Sequence, residues 1–86
     1  YEAVQAMYQA LNAIQMAAAA GADQSAADTM RKARNLYEQA RQQNAAKADP
    51  KQIVATAREA VQAAEDARAI TQKQNDAQPA ESRGSR

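Results

Sequence analysis

Two groups of side chains in this chain have the types and spacing to do chemistry. One is a carboxylate pair, Glu59 and Asp66; the other is a run of cations, Arg31, Lys32, Arg34 and Arg41, with Tyr37 among them. Glu59 and Asp66 are seven residues apart, so a helix sets them on one face about 10.5 Å apart along its axis. Paired carboxyls that cleave glycosidic bonds stand closer, roughly 5–9.5 Å. The adjacent pair Glu65 and Asp66 diverges by about 100° on a helix. There is no Cys and no His, which excludes thiol nucleophiles and Ser/His systems and removes the ligands that zinc almost always takes. No Asp-rich loop resembles a calcium-binding turn. No catalytic, cofactor-binding or metal-binding residue is assigned, and the chain reads as non-enzymatic.

The cations ask for an anion: a nucleic acid, a lipid head group or an acidic polymer. Arg31 and Arg34 share a side of a helix while Lys32 turns away. Asp28 lies three and four residues before Arg31 and Lys32, Glu38 three before Arg41, and Glu65 three before Arg68. Such spacings add about 0.2–0.5 kcal/mol per pair to a helix, and a solvated charged face is the simpler reading. Eleven Lys and Arg against ten Asp and Glu give a net charge of +1, not the basic balance of a nucleic-acid binder.

The elements that carry these groups are helices, and alanine dominates them. Alanine occupies 25 of 86 positions, against 14 larger apolar residues that include neither Phe nor Trp. Alanine is the best helix former because it loses no side-chain entropy, but it contributes little buried area, so its helices must approach closely. Gly21 follows an alanine run and reads as the residue closing the first helix. Asp23 or Ser25 is the expected cap of the second. Asp49-Pro50-Lys51-Gln52 starts the third, with Asp49 as cap and Pro50 in the first turn. Three helices are predicted, over about 2–20, 25–46 and 50–75, followed by a polar tail or linker over 76–86 that holds Pro79 and Gly84.

Apolar periodicity gives each helix a stripe. In the first it is Val4, Met7, Leu11, Ile14 and Ala18, flanked by Tyr1 and Tyr8. In the second it is Ala26, Met30, Ala33, Tyr37 and Ala40, with Leu36 adjoining. In the third it is Ile53, Ala57, Ala60, Ala64 and Ala67, widened by Val54, Val61 and Ile70. Short connections make neighbours antiparallel. The expected fold is therefore all-α: an antiparallel three-helix bundle over 1–75, with a coiled-coil-like hairpin plus a third helix as the variant.

The first helix carries a single charge, Glu2, and is expected to be central, touched by both others. The alternative is that Tyr1, Tyr8 and Met16 form a surface for a protein partner or a second copy. A membrane-lying helix is disfavoured because its polar positions lack Lys and Arg. At this size a single core stabilises weakly, which argues for association with a partner or with itself. Thr29, Thr56 and Thr71 show no regular repeat, so no ice-binding face is built. The longest apolar run, residues 16–20, is far short of the ~20 residues of a membrane span.

Two segments carry a family likeness: residues 17–41, AAAAGADQSAADTMRKARNLYEQAR, and residues 53–70, IVATAREAVQAAEDARAI. Together they resemble an uncharacterised Ala-rich helical domain of bacterial envelope proteins and lipoproteins, which in some proteins precedes an OmpA-like domain. The Gly21-Ala22 junction and the run AREAVQAAEDAR carry most of the likeness. It implies a periplasmic or outer-membrane-associated location and a structural or interaction role, and it brings no catalytic residues. A start at Tyr1 is expected of a processed or excised chain. Any lipid anchor would belong to the unprocessed protein, and cell-wall binding to a domain outside these residues. The reading is a non-enzymatic structural or protein-interaction module of the envelope, with Tyr1, Tyr8, Arg31, Arg34, Tyr37 and Arg41 as candidate surface residues. An anion-binding helical domain is the first alternative and a homo-oligomerising coiled-coil unit the second.

Overall fold

A computed structural model describes residues 2–77. They form α1 (Glu2–Ala19), α2 (Ala22–Ser25), α3 (Ala27–Ala45) and α4 (Pro50–Ala77), and the described residues hold no strand. The fold is all-α, with three long helices and one single-turn helix at a corner. Asp76 and Ala77 belong to α4, so the helix runs further than its apolar stripe indicates. The rest of the expected tail, 78–86, and Tyr1 lie outside the described residues.

Each corner has a local cause. Gly21 sits at φ +97°, and its N–H donates to the Ala18 carbonyl at 3.0 Å, as a closing glycine should. The second corner is a Schellman motif: Ala48 N–H donates to the Gln43 carbonyl (2.9 Å) and Lys47 N–H to that of Asn44 (3.1 Å). Its left-handed position is held by Lys47 at φ +59°, not by glycine. At the start of α4 the Asp49 carboxylate accepts from the Lys51 backbone N–H at 2.9 Å, which supplies the expected cap ahead of Pro50.

The expected cap of the second long helix is not found. Ala26, not Asp23 or Ser25, precedes α3, and no side chain caps it. The left-handed turn at Gly21 leads directly into α2, which takes up Asp23 and Ser25 and delays α3 to Ala27.

The long helices run up, down and up. Near one end, Glu2, Gln5 and Gln9 of α1 line a hollow with Val54 and Arg58 of α4. Near the other, Gln74 of α4 donates from Nε2 to the Ser25 carbonyl at 3.3 Å. Hence α1 and α4 are parallel, and α3 is antiparallel to both. The spine is α4, which packs along both α1 and α3, whereas those two meet over a much smaller interface. The expectation that the first helix is central is corrected here. At 28 residues, or about 42 Å, α4 is the only helix long enough to span both partners and the α2 corner.

Among the described residues, thirteen of the sixteen buried apolar side chains are alanine; the others are Ile14, Met30 and Ile53. They form two clusters along the bundle, one around Ile14 and Met30 and one around Ile53, bridged by half-buried Leu36 and Tyr37. In α4 the stripe Ile53, Ala57, Ala60, Ala64 and Ala67 is buried as expected. Of the residues expected to widen it, Val54 and Val61 are half-buried and Ile70 is exposed. In α1 the buried residues are Ala3, Ala6, Ala10, Ile14 and Ala17; of the predicted stripe only Ile14 is among them, and Val4, Met7, Leu11 and Ala18 are not. The helix is turned so that its smaller stripe faces the core. Met7 and Leu11 rest half-buried at the flank and Val4 is exposed. Alanine at the seam lets the axes approach towards the short end of the usual ~8–10 Å range. Two buried hydroxyls complete the core: Thr56 Oγ1 donates to the Gln52 carbonyl (3.1 Å) and Thr71 Oγ1 to that of Ala67 (2.9 Å).

Candidate functional site

The candidate cations of the second predicted helix all lie on α3, and each arginine among them meets a carboxylate. Arg31 Nη1 donates to Asp28 Oδ1 at 3.2 Å, and Arg41 Nη1 to Glu38 Oε1 at 2.7 Å; both pairs span three residues on one helix face. Arg34 reaches out of its helix. Its Nη2 donates to Asp23 Oδ2 at 3.1 Å while Nη1 donates to Asp23 Oδ1, a two-pronged pair of the kind that matches guanidinium to carboxylate. The hydrogen bond from Arg34 holds the Asp23 carboxyl below its ordinary value, partial burial opposes it, and the attraction of the charge adds to it. The same contact raises Arg34. Every pair remains substantially exposed, so each is worth little in isolation. Together they satisfy the three arginines locally.

Tyr37 does not join this charged surface. It is half-buried against both core clusters, so its ring serves packing between α3 and the other helices. Lys32 leaves the arginines as expected and lies over the α3–α4 groove. There it lines a shallow depression of about 470 Å³ with Thr29, Ala63, Asp66, Ala69 and Ile70. A second depression of about 300 Å³ adjoins it, sharing Lys32, Ala63 and Asp66 and adding Leu36, Glu59 and Gln62. Glu59 and Asp66 therefore share one groove, as their spacing predicts. Both are exposed, and Asp66 Oδ1 accepts from Gln62 Nε2 at 2.9 Å. Among the described residues no group of three or more His, Cys, Asp or Glu is placed to hold a metal ion.

The remaining candidates belong to α1. Tyr8 is 68% exposed, and with it Met16 at 51% and Val4 at 40%. Tyr1 lies outside the described residues. Between the exposed apolar groups stand Gln5, Gln9, Asn12 and Gln15, all exposed. The outer face of α1 is thus an uncharged strip in a chain where charged residues make up 24%. Sequence reasoning placed Val4 in the core and so underestimated this strip. The 3/4 spacing of Ala3, Ala6 and Ala10 was the signal that could have turned the helix.

The structure brings Arg31, Arg34 and Arg41 together on α3 and leaves Tyr8 on the outside of α1 and Tyr37 half-buried against the core, so the candidates divide among three places. No helix among the described residues is long and apolar enough to cross a membrane. No protein-family model, curated protein or solved structure matches the chain.

Proposed function

We propose that this chain is a non-enzymatic structural or protein-interaction module of the bacterial cell envelope, a slim helical spacer in the periplasm or at the outer membrane. The contrast between its two outer surfaces carries the interaction part of this reading. The three arginines of α3 meet carboxylates of the same chain, whereas α1 turns Val4, Tyr8 and Met16 outward. Charge-poor strips with exposed aromatic and Met side chains have the composition of interface cores. The location rests on the likeness of residues 17–41 and 53–70 to the Ala-rich envelope domain. The pairing of Arg31, Arg34 and Arg41 weighs against the anion-binding alternative, because an anion would have to displace Asp28, Asp23 and Glu38.

Fractionation of cells producing the full-length gene product, with a photo-crosslinking residue at position 8, tests the proposal. The expected outcome is recovery from the periplasmic or outer-membrane fraction with a protein cross-linked at that position. Recovery from the cytosol alone overturns the location. Salt-dependent binding of the purified chain to DNA or to anionic vesicles would restore the anion-binding alternative.

A further inference from the structure

We infer that the outer face of α1 is a self-association surface whose partner is a second copy of this chain, paired antiparallel about a two-fold axis through the middle of the helix. The inference deepens the interaction reading proposed above by naming the partner. Its starting point is the chemistry of the strip. Among the residues of α1 only Glu2 is charged, and the exposed polar residues Gln5, Gln9, Asn12 and Gln15 all carry amides. An amide bears both donor and acceptor, so a Gln or Asn can satisfy its own copy across a two-fold axis. A charged side chain in the same place would meet its own sign and repel it.

The apolar groups are distributed to suit the same arrangement. Val4 lies in the first turn and a half, Met16 in the last, and Tyr8 near the middle. Antiparallel pairing therefore puts an apolar group near both ends of the contact and brings the two Tyr8 rings close to the axis. By contrast, the outer surfaces of α3 and α4 carry both signs interspersed, as in Arg31, Glu38 and Arg41 or Arg58, Glu65 and Arg68. A neutral strip offers nothing to a strongly charged partner, and two-fold self-pairing is the commonest form of homo-oligomer.

Area sets the strength. Eighteen residues make a helix about 27 Å long, whose outer half-cylinder exposes on the order of 400 Å². A pair then buries about 800 Å² in total, below the roughly 1,200–2,000 Å² of a standard stable interface. The association is accordingly weak and reversible, with dissociation on the order of 0.1–1 mM.

Sedimentation equilibrium of the purified chain from about 10 µM to about 2 mM tests this, spanning the dissociation range above. The mass is expected to rise from 9.2 kDa towards twice that value. Tyr8→Glu and Met16→Lys, both at exposed positions, are expected to keep the native circular dichroism and weaken the dimer at least about tenfold. Ile70→Glu, in the α3–α4 groove, is expected to leave it unchanged. The chain has no Cys, so Asn12→Cys, exposed on the same face and within about 1.5 residues of the axis, also reports directly: oxidation should give a disulfide-linked dimer, and Glu65→Cys should not. A monomer throughout the range overturns the inference, as does a dimer insensitive to both α1 substitutions or one abolished by Ile70→Glu. None of these outcomes bears on the envelope location, which the fractionation decides.

Discussion

Asp23 and Arg34 are eleven residues apart in sequence, yet the guanidinium of one grips the carboxylate of the other with two hydrogen bonds. The contact joins the single-turn helix α2 to the start of the third turn of α3, across a helix start that has no side-chain cap. It holds the corner between α1 and α3 at its outer edge. Beneath, Ala22 and Ala26 are buried in the Ile14–Met30 cluster, and Ser25 receives Gln74 from the end of α4. A charged pair outside and two alanines inside thus fix the corner, which among the described residues is tied to a distant helix by one further side-chain hydrogen bond, that of Gln74.

Asp23→Asn is expected to lower the melting temperature at neutral pH and to flatten its acid dependence. The folded carboxyl lies below the ordinary value of 3.8. Its contribution is therefore fully present above that unfolded-state value and is lost as pH falls through the lower folded value. The native chain and the variant should differ at pH 7 and converge once acid has protonated the folded carboxyl. At neutral pH, about 1 M salt should narrow the difference, since both side chains are half exposed and screened. Thermal unfolding followed by circular dichroism over this range checks the sign; a difference that grows on acidification would contradict it.

Gly21 and Lys47 occupy equivalent left-handed corner positions with opposite chemistry, so exchanging residue types should move stability in opposite directions. Gly21→Ala is expected to cost about 1–2 kcal/mol from the backbone alone. The added Cβ would meet nothing closer than Thr71 Cγ2 at 4.0 Å. Lys47→Gly should stabilise by about 0.5–1 kcal/mol, because Lys47 is exposed and its strain is relieved without losing a buried contact. Urea unfolding of the two variants measures both.

How much of this was legible in the sequence follows from what each signal encodes. The starts and stops carried by Gly21 and by Asp49-Pro50 were readable, because those residues act through local backbone geometry. The stripes of α3 and α4 were readable because alanine and larger residues coincide on one face there, as at Met30 beside Ala33 or Ile53 beside Ala57. In α1 they diverge: one face carries Ala3, Ala6 and Ala10, the next Val4, Met7 and Leu11. Ranking by hydrophobicity chooses the second face, but close approach of helices chooses the first. The α2 corner had no such signal, because an extra helical turn after a left-handed glycine alters no periodicity. The groove holding Lys32, Glu59 and Asp66 needed the α3–α4 pairing, which neither helix encodes alone.

Met30 is one of three buried apolar residues larger than alanine among the described residues, and is fully buried. Met30→Ala removes one of the two buried side chains larger than alanine in its cluster, Ile14 being the other, and the cluster's alanines, such as Ala26, Ala33, Ala63 and Ala67, cannot extend to fill the space. A cost of about 2–5 kcal/mol is expected, a large share of the ~5 kcal/mol available to a domain this small. The measurement is the melting temperature, with loss of a cooperative transition as the stronger outcome. A loss below about 0.5 kcal/mol would place Met30 at the surface.

Ala60 and Ala64 lie on the face of α4 that meets its neighbours, and neither is accessible to solvent. By area alone, a larger apolar side chain there would stabilise, since each buried methylene is worth about 0.8 kcal/mol. The seam argues the reverse. Ala60 belongs to the Ile53 cluster with Ala3, Ala6, Ala10, Ala40 and Ala57, while Ala64 belongs to the other with Ala17, Ala33 and Ala67. Most of the buried residues of both clusters are alanine, so there is little side-chain volume that can move to make room for an isobutyl group. Ala60→Leu and Ala64→Leu should each cost about 1–3 kcal/mol, or roughly 4–8 °C in melting temperature per kcal/mol for a domain of this size. Ala69→Leu on exposed α4 surface is the control and should change stability by less than about 0.5 kcal/mol. If all three variants melt together, the helices stand further apart than alanine packing requires. If only Ala60→Leu and Ala64→Leu fall, close approach along α4 sets the order of the bundle, and the larger side chains of α1 are left at the surface because the seam has no room for them.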